Sequence, residues 1–195
     1  MRKFPALLIA LLVAAIAAAA VAGCSSEQST ARGYIEQARA GNKDVAATQE
    51  ELKKKSDELA ALFQQISDPP TAEEAQKMKQ LTAELSALVD TSNADIQKTR
   101  SEYEKILKLD DVEGYKEYAL NKIEVLGILD QLASLHRQYW ELYDQAFDEY
   151  LASGTVDEEA IKARIDPVLT QKAQLDEKLE KLNKEAADLA DELGI

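Results

Sequence analysis

The sequence predicts an all-α fold, an elongated antiparallel bundle of three to four long helices with coiled-coil-like packing. Three observations carry that expectation. Apolar residues recur at spacings of three and four over long stretches, the mark of a helix face buried against a neighbour. Only 7 Gly and 4 Pro occur in 195 residues, several of them at points that divide the chain into long segments. Ala, Leu, Glu, Lys and Gln are abundant and runs of β-branched residues almost absent, which favours helix throughout.

The first predicted helix runs from about Tyr34 to Ile66. Ala38, Val45, Leu52, Leu59 and Ile66 form one row at seven-residue spacing. The companion row, Ile35, Asn42, Gln49, Ser56 and Phe63, is polar in its middle, and Gly41 weakens the helix locally. A seam of this kind buries little, so this helix is expected at the periphery. Ser67-Asp68-Pro69-Pro70 forces a break, because consecutive prolines cannot continue a helix.

Thr71 and Glu74 form a capping-box pattern that starts the second helix. Its inward row is Met78, Leu81, Leu85, Val89, Ser92, Ile96, Thr99, Tyr103 and Ile106. Asp110-Asp111-Val112-Glu113-Gly114 marks a boundary, read either as a reversal or as a kink in one longer helix. Asp110 with Glu113 is a candidate cap there.

The third helix, about Val112 to Ala152, is the most apolar. Val112, Ala119, Leu126, Ala133, Trp140 and Phe147 make one row; Tyr115, Lys122, Leu129, His136, Tyr143 and Tyr150 make a second. Tyr118, Val125, Leu132, Tyr139 and Ala146 lie beside them. Three rows make a stripe wider than a two-stranded seam, which places this helix at the centre of a bundle. Ser153-Gly154 ends it, and Thr155 with Glu158 forms another capping-box pattern. The fourth helix carries Ile161, Ile165, Val168, Lys172, Leu175, Leu179, Leu182, Ala186, Leu189 and Leu193, with Pro167 expected to kink or restart it. The four segments have comparable lengths, roughly 50–63 Å at 1.5 Å per residue, so they suit an antiparallel bundle. The alternative is a long three-helix bundle with a loosely attached first helix.

Residues 1–33 are of a different kind. Arg2 and Lys3 precede 17 residues, Ala6 to Ala22, without a polar side chain. A basic start, an apolar run and small residues have the form of a secretory signal. An uncleaved transmembrane helix is the competing reading, but 17 residues reach only roughly 26 Å against a hydrocarbon core of about 30 Å. Val21-Ala22-Gly23-Cys24 resembles the lipobox of bacterial lipoproteins. That resemblance covers residues 1–24 and implies cleavage between Gly23 and Cys24, with Cys24 lipidated as the first mature residue. It divides the chain into a signal peptide over 1–23, the lipidated Cys24 with a flexible tether over 24–33, and a helical domain over 34–195. It implies an extracytoplasmic protein held at the cell membrane. Ser25 follows the cysteine, so the Asp that retains Gram-negative lipoproteins in the inner membrane is absent and an outer-membrane location is open. The layout of lipid signal plus helices is similar to helical cell-wall-binding lipoproteins, without a shared motif in the domain.

Charge excludes one class of partner. Residues 1–23 carry Arg2 and Lys3 and no acid, so the formal charge of −13 becomes −15 without them. Nucleic-acid affinity comes largely from Lys and Arg on phosphate, so a nucleic-acid partner is not expected. The mature chain of about 172 residues suffices for one domain with a core.

No residue pattern points to catalysis. His136 is the only histidine, and Cys24 the only cysteine, so there is no disulfide and no cysteine left for a metal. A di-iron bundle needs paired Glu-x-x-His motifs, yet residue 133 is Ala. No cofactor, metal or enzyme activity is expected. The most individual feature is aromatic: seven of ten aromatics in the mature chain lie between Tyr115 and Tyr150. Tyr139, Trp140, Tyr143, Phe147 and Tyr150 occupy three turns and read either as thick core filling or as a contact patch, since Tyr and Trp suit half-wet interfaces. Two functions follow as expectations. One is a non-enzymatic interaction or structural role in the cell envelope, with an envelope protein or the cell wall as partner. The other is a binding module for a small apolar or amphipathic ligand near Trp140.

Overall fold

The computed structural model describes residues 5–65, 71–154 and 157–195, with side chains from Ser26 onward except at 158. Four helices follow one another: α1 (Pro5–Gln65), α2 (Ala72–Ile106), α3 (Glu113–Ser153) and α4 (Glu158–Leu193). Each packs on the next in chain order, up and down. Cross-helix ion pairs record the antiparallel registers: Lys55 with Glu84 between α1 and α2, Lys79 with Asp148 between α2 and α3, and Lys178 with Glu124 between α4 and α3. All three lie at the surface, where such pairs contribute little stability. Burial of the apolar rows holds the helices together.

Those rows are where the spacing placed them. Every inward residue expected on α2, from Met78 to Ile106, is buried. So are Val112, Ala119, Leu126, Ala133, Trp140 and Phe147 of the first α3 row. The wide stripe of α3 has a simple cause. Ala133, Trp140 and Phe147 pack with Leu52, Leu59, Leu81 and Leu85 of α1 and α2, while Val125, Ile128 and Leu132 pack with Leu182 of α4. A helix with neighbours on both sides must be apolar on both sides.

The ends follow local chemistry. Thr71 and Glu74 form the reciprocal capping box at the start of α2, worth about 1 kcal/mol. Gly154 ends α3 at φ 72°, the left-handed conformation that a side chain disfavours. α2 and α3 are separate helices joined by a sharp reversal, with Asp111 at φ 52°. The expected cap by Asp110 does not form: Val112 is the N-cap residue and receives no side-chain bond. Instead the Asp110 N–H donates to Glu27 Oε2 of α1 at 2.5 Å. At α4 the cap is Asp157, whose side chain accepts from the Ala160 N–H. Thr155, expected in that role, lies outside the described residues, as do Arg2, Lys3, Ile66 and the Ser67–Pro70 break. α4 runs through Pro167 as one helix instead of restarting there.

Two expectations are corrected. Residues 26–33 are not a flexible tether but part of α1, tied into the bundle. Ala31 is fully buried, and Arg32 Nε donates to the Tyr115 hydroxyl at 2.8 Å. Small polar residues lack strong periodicity, but the end of a long helix extends where a neighbour offers contacts, here the α2–α3 turn and the end of α4. Nor is α1 the peripheral helix. Ile35, Ala38, Val45, Leu52 and Leu59 are all buried, and the polar middle of the seam is paired across to α2. Asn42 Nδ2 donates to the Tyr103 hydroxyl at 2.9 Å, Thr48 Oγ1 to Asp95 Oδ2 at 3.1 Å, and Gln49 Nε2 to Ser92 Oγ at 2.8 Å. Polar groups bonded to each other inside a seam cost far less than unpaired ones. The edge helix is α4, which buries Ile165, Val168, Leu182 and Ala186 against α3 and leaves Leu169 exposed.

Burial also sets how the bundle responds to alkali. Tyr103 is fully buried, and desolvation, followed by the neighbouring Tyr118, pushes its phenol above the ordinary tyrosine range. The folded state therefore keeps a proton that the unfolded chain releases near pH 10. Stability should be insensitive to this group below pH 10. Above it, stability should fall by about 1.4 kcal/mol per pH unit for one tyrosine held neutral. Urea unfolding at pH 9, 10 and 11 reads the slope. Tyr103→Phe should flatten the alkaline limb, and an unchanged limb would remove Tyr103 as its source.

Candidate functional site

Tyr139, Trp140, Tyr143 and Phe147 of α3 come together in the half of the bundle that contains the α1 C-terminus, the α2 N-terminus and the α4 N-terminus, while Tyr115 and Tyr118 pack at the other end. Tyr139 and Trp140 meet edge to face with centroids 4.8 Å apart, and Tyr139 and Tyr143 lie 4.9 Å apart. The Tyr139 hydroxyl donates to that of Tyr143 at 3.2 Å. Phe63 of α1 joins them, 5.0 Å from Tyr143, a member that reading α3 alone did not find. Trp140 and Phe147 are core residues, 8% and 7% exposed, whereas Tyr139, Tyr143 and Tyr150 are half-buried. Trp140 and Phe147 thus belong to the core, with Tyr139 and Tyr143 packed against it and Tyr150 half-buried.

Beside these aromatics lies a cavity of about 160 Å³. From α3 it is lined by Leu135, His136, Tyr139 and Trp140. From α4, Val168, Leu169 and Lys172 line it, and Ser56 of α1 completes the wall. Trp140 Nε1 is buried and has no hydrogen-bond acceptor among the described residues. Lys172 is engaged with Asp176 at 2.5 Å. Burial is the main influence on His136 and lowers its pKa; the Lys172 charge adds to this and Asp176 opposes it. The imidazole is therefore neutral at pH 7, offering one donor and one acceptor. Burial, followed by the bond to Tyr143, raises the Tyr139 phenol, so it too stays protonated.

The sequence carried a signal for this cavity. Ser56 and His136 are polar members of mixed rows on α1 and α3, and Lys172 interrupts the otherwise apolar row of α4. Read helix by helix they are unconnected. The antiparallel registers bring all three to the same level, where they surround the cavity. Among the described residues no group of His, Cys, Asp and Glu is arranged to hold a metal ion. Nor is any helix among them long and apolar enough to cross a membrane. The side chains of Val21 to Cys24 lie outside those described.

Compared with known proteins, the chain matches no protein family, no curated protein and no solved structure.

Proposed function

We propose that this chain is an extracytoplasmic lipoprotein, anchored by acyl chains on Cys24, whose helical bundle serves a non-enzymatic interaction role in the cell envelope. The observation that carries the reading is Val21-Ala22-Gly23-Cys24 placed directly after a basic start and an apolar run. Each buried methylene contributes about 0.8 kcal/mol, so two or three acyl chains hold stably where one does not.

The fold lends the reading a geometry. α1 runs from the anchor position into the bundle without a break, so the body is coupled to Cys24 by helix, not by a loose linker. The end nearest Cys24 also carries the α2–α3 turn and the C-terminus of α4, where Arg32 donates to the Leu193 carbonyl at 3.3 Å. Glu27, Asp110, Asp111, Glu113, Asp191 and Glu192 make that end acidic, which disfavours contact with an anionic lipid surface. The opposite end stands clear: Ser56, 32 residues after Cys24, lies about 48 Å along α1. Partners are therefore expected at the far half, around the starts of α2 and α4.

Site-specific photocrosslinking in intact cells tests this. A crosslinker at exposed Leu151 should capture a discrete envelope partner, while one at exposed Glu117 near the proposed anchored end should not. Recovery of the monomer alone from both positions at native expression would count against an interaction role.

A further inference from the structure

We propose that the cavity between α3 and α4, with Ser56 of α1 in its wall, binds a small neutral molecule with a ring-sized apolar body and one hydroxyl oxygen, in class an aromatic alcohol or phenol. This stands apart from the lipid-anchor reading and does not depend on it.

Four features select that chemistry. The volume of about 160 Å³ suits one ring and is too small for a long acyl chain. Apolar cavities of about 150 Å³ hold benzene-sized guests. Most of the wall is Leu135, Val168, Leu169 and aromatic face, which favours an apolar body. Trp140 is more than nine-tenths buried, and its indole N–H, on a side chain that lines the cavity, lacks an acceptor among the described residues. Buried donors are normally satisfied, and a hydroxyl oxygen would supply the acceptor. Charge excludes the anionic relatives: the one cation in the wall, Lys172, is already paired with Asp176, so a carboxylate would bring a charge with no free partner. The neutral imidazole of His136 can in turn accept from the ligand hydroxyl.

Trp140 is the only tryptophan, so its indole N–H gives a single reporter signal in a ¹⁵N–¹H spectrum of the full chain. Benzyl alcohol should shift that signal saturably. Toluene, which lacks the acceptor, should bind about threefold to tenfold more weakly. Benzoate should also bind more weakly than the alcohol. Ser56→Leu, which adds bulk to the cavity wall, should weaken benzyl alcohol binding at least about tenfold. If Ser56→Leu perturbs the fold, Leu169→Phe at the exposed rim decides, with the same loss expected. A shift that grows linearly without saturation would overturn the proposal. So would equal binding of toluene or benzoate, or wild-type binding by the folded filling variants.

Discussion

Replacing Cys24 with Ala should abolish the proposed acylation and leave the bundle folded. The wild-type chain should lose residues 1–23 and carry the mass of its acyl groups. The variant should carry no acyl mass, as read by intact mass spectrometry of membrane fractions. Its unfolding midpoint should match that of wild type, because Cys24 precedes the first described core residue, Ala31, by two helical turns. Substitutions away from a core change stability by about 0.5 kcal/mol or less. The two readouts separate anchor from fold. An unchanged acyl mass would overturn the lipoprotein reading. Membrane retention of a wild-type chain that keeps residues 1–23 and bears no acyl group would instead make the 17-residue apolar run the anchor.

The second large effect is at Gly41, where α1 and α2 approach closely. Intrinsic propensity says that any side chain but proline in place of Gly41 should stabilise α1, by about 1 kcal/mol for Ala. Packing says the reverse. A Cβ on Gly41 would stand 2.3 Å from Thr99 Oγ1 and 3.1 Å from Thr99 Cβ. Thr99 cannot easily move aside: it is 1% exposed, and its hydroxyl donates to the Asp95 carbonyl at 2.8 Å. Overpacking of this kind costs about 1–3 kcal/mol, and the larger side chain of Gly41→Leu sits at the upper end. For a chain of this size a loss of about 3 kcal/mol lowers Tm by roughly 6–12 °C. Gly41→Ala should be mildly destabilising in the wild-type background. With Thr99→Ala the hydroxyl at 2.3 Å is gone and only the close Cβ contact at 3.1 Å remains, so there Gly41→Ala should cost less than in the wild-type background. A double-mutant cycle by calorimetry reads this coupling. Stabilisation by Gly41→Leu alone would show that the two helices do not approach at this point.

Gly41 also shows what one-dimensional reading misses. In the sequence it weakens a helix; in the bundle it lets two helices meet. Asn42 and Gln49 make the same point. As members of a companion row they imply a poorly buried seam, yet both are bonded across to Tyr103 and Ser92. A polar residue's cost depends on its partner, and the partner lies 61 residues away in one case and 43 in the other. The inward row of α2 was legible in full because its signal is local: side chains three and four apart share a face whatever lies opposite. Of the cavity, Trp140 and Tyr139 were legible as part of an aromatic run. Ser56 and Lys172 were visible only as polar members of their rows, with nothing to connect them.

The sequence by itself determined the all-α class, most of the helix boundaries and the buried faces, and left open whether there are three helices or four. It also carries the lipobox-like stretch on which the expected cell-surface address rests. These depend on periodicity, capping residues and short motifs, all of which act over a few residues. The tertiary structure decided which helix is central and which stands at the edge, made residues 26–33 part of the bundle, and gathered three polar residues around one cavity. Those outcomes depend on antiparallel register and on cross-helix hydrogen bonding. Both join residues far apart in the chain, where periodicity along one helix carries no information.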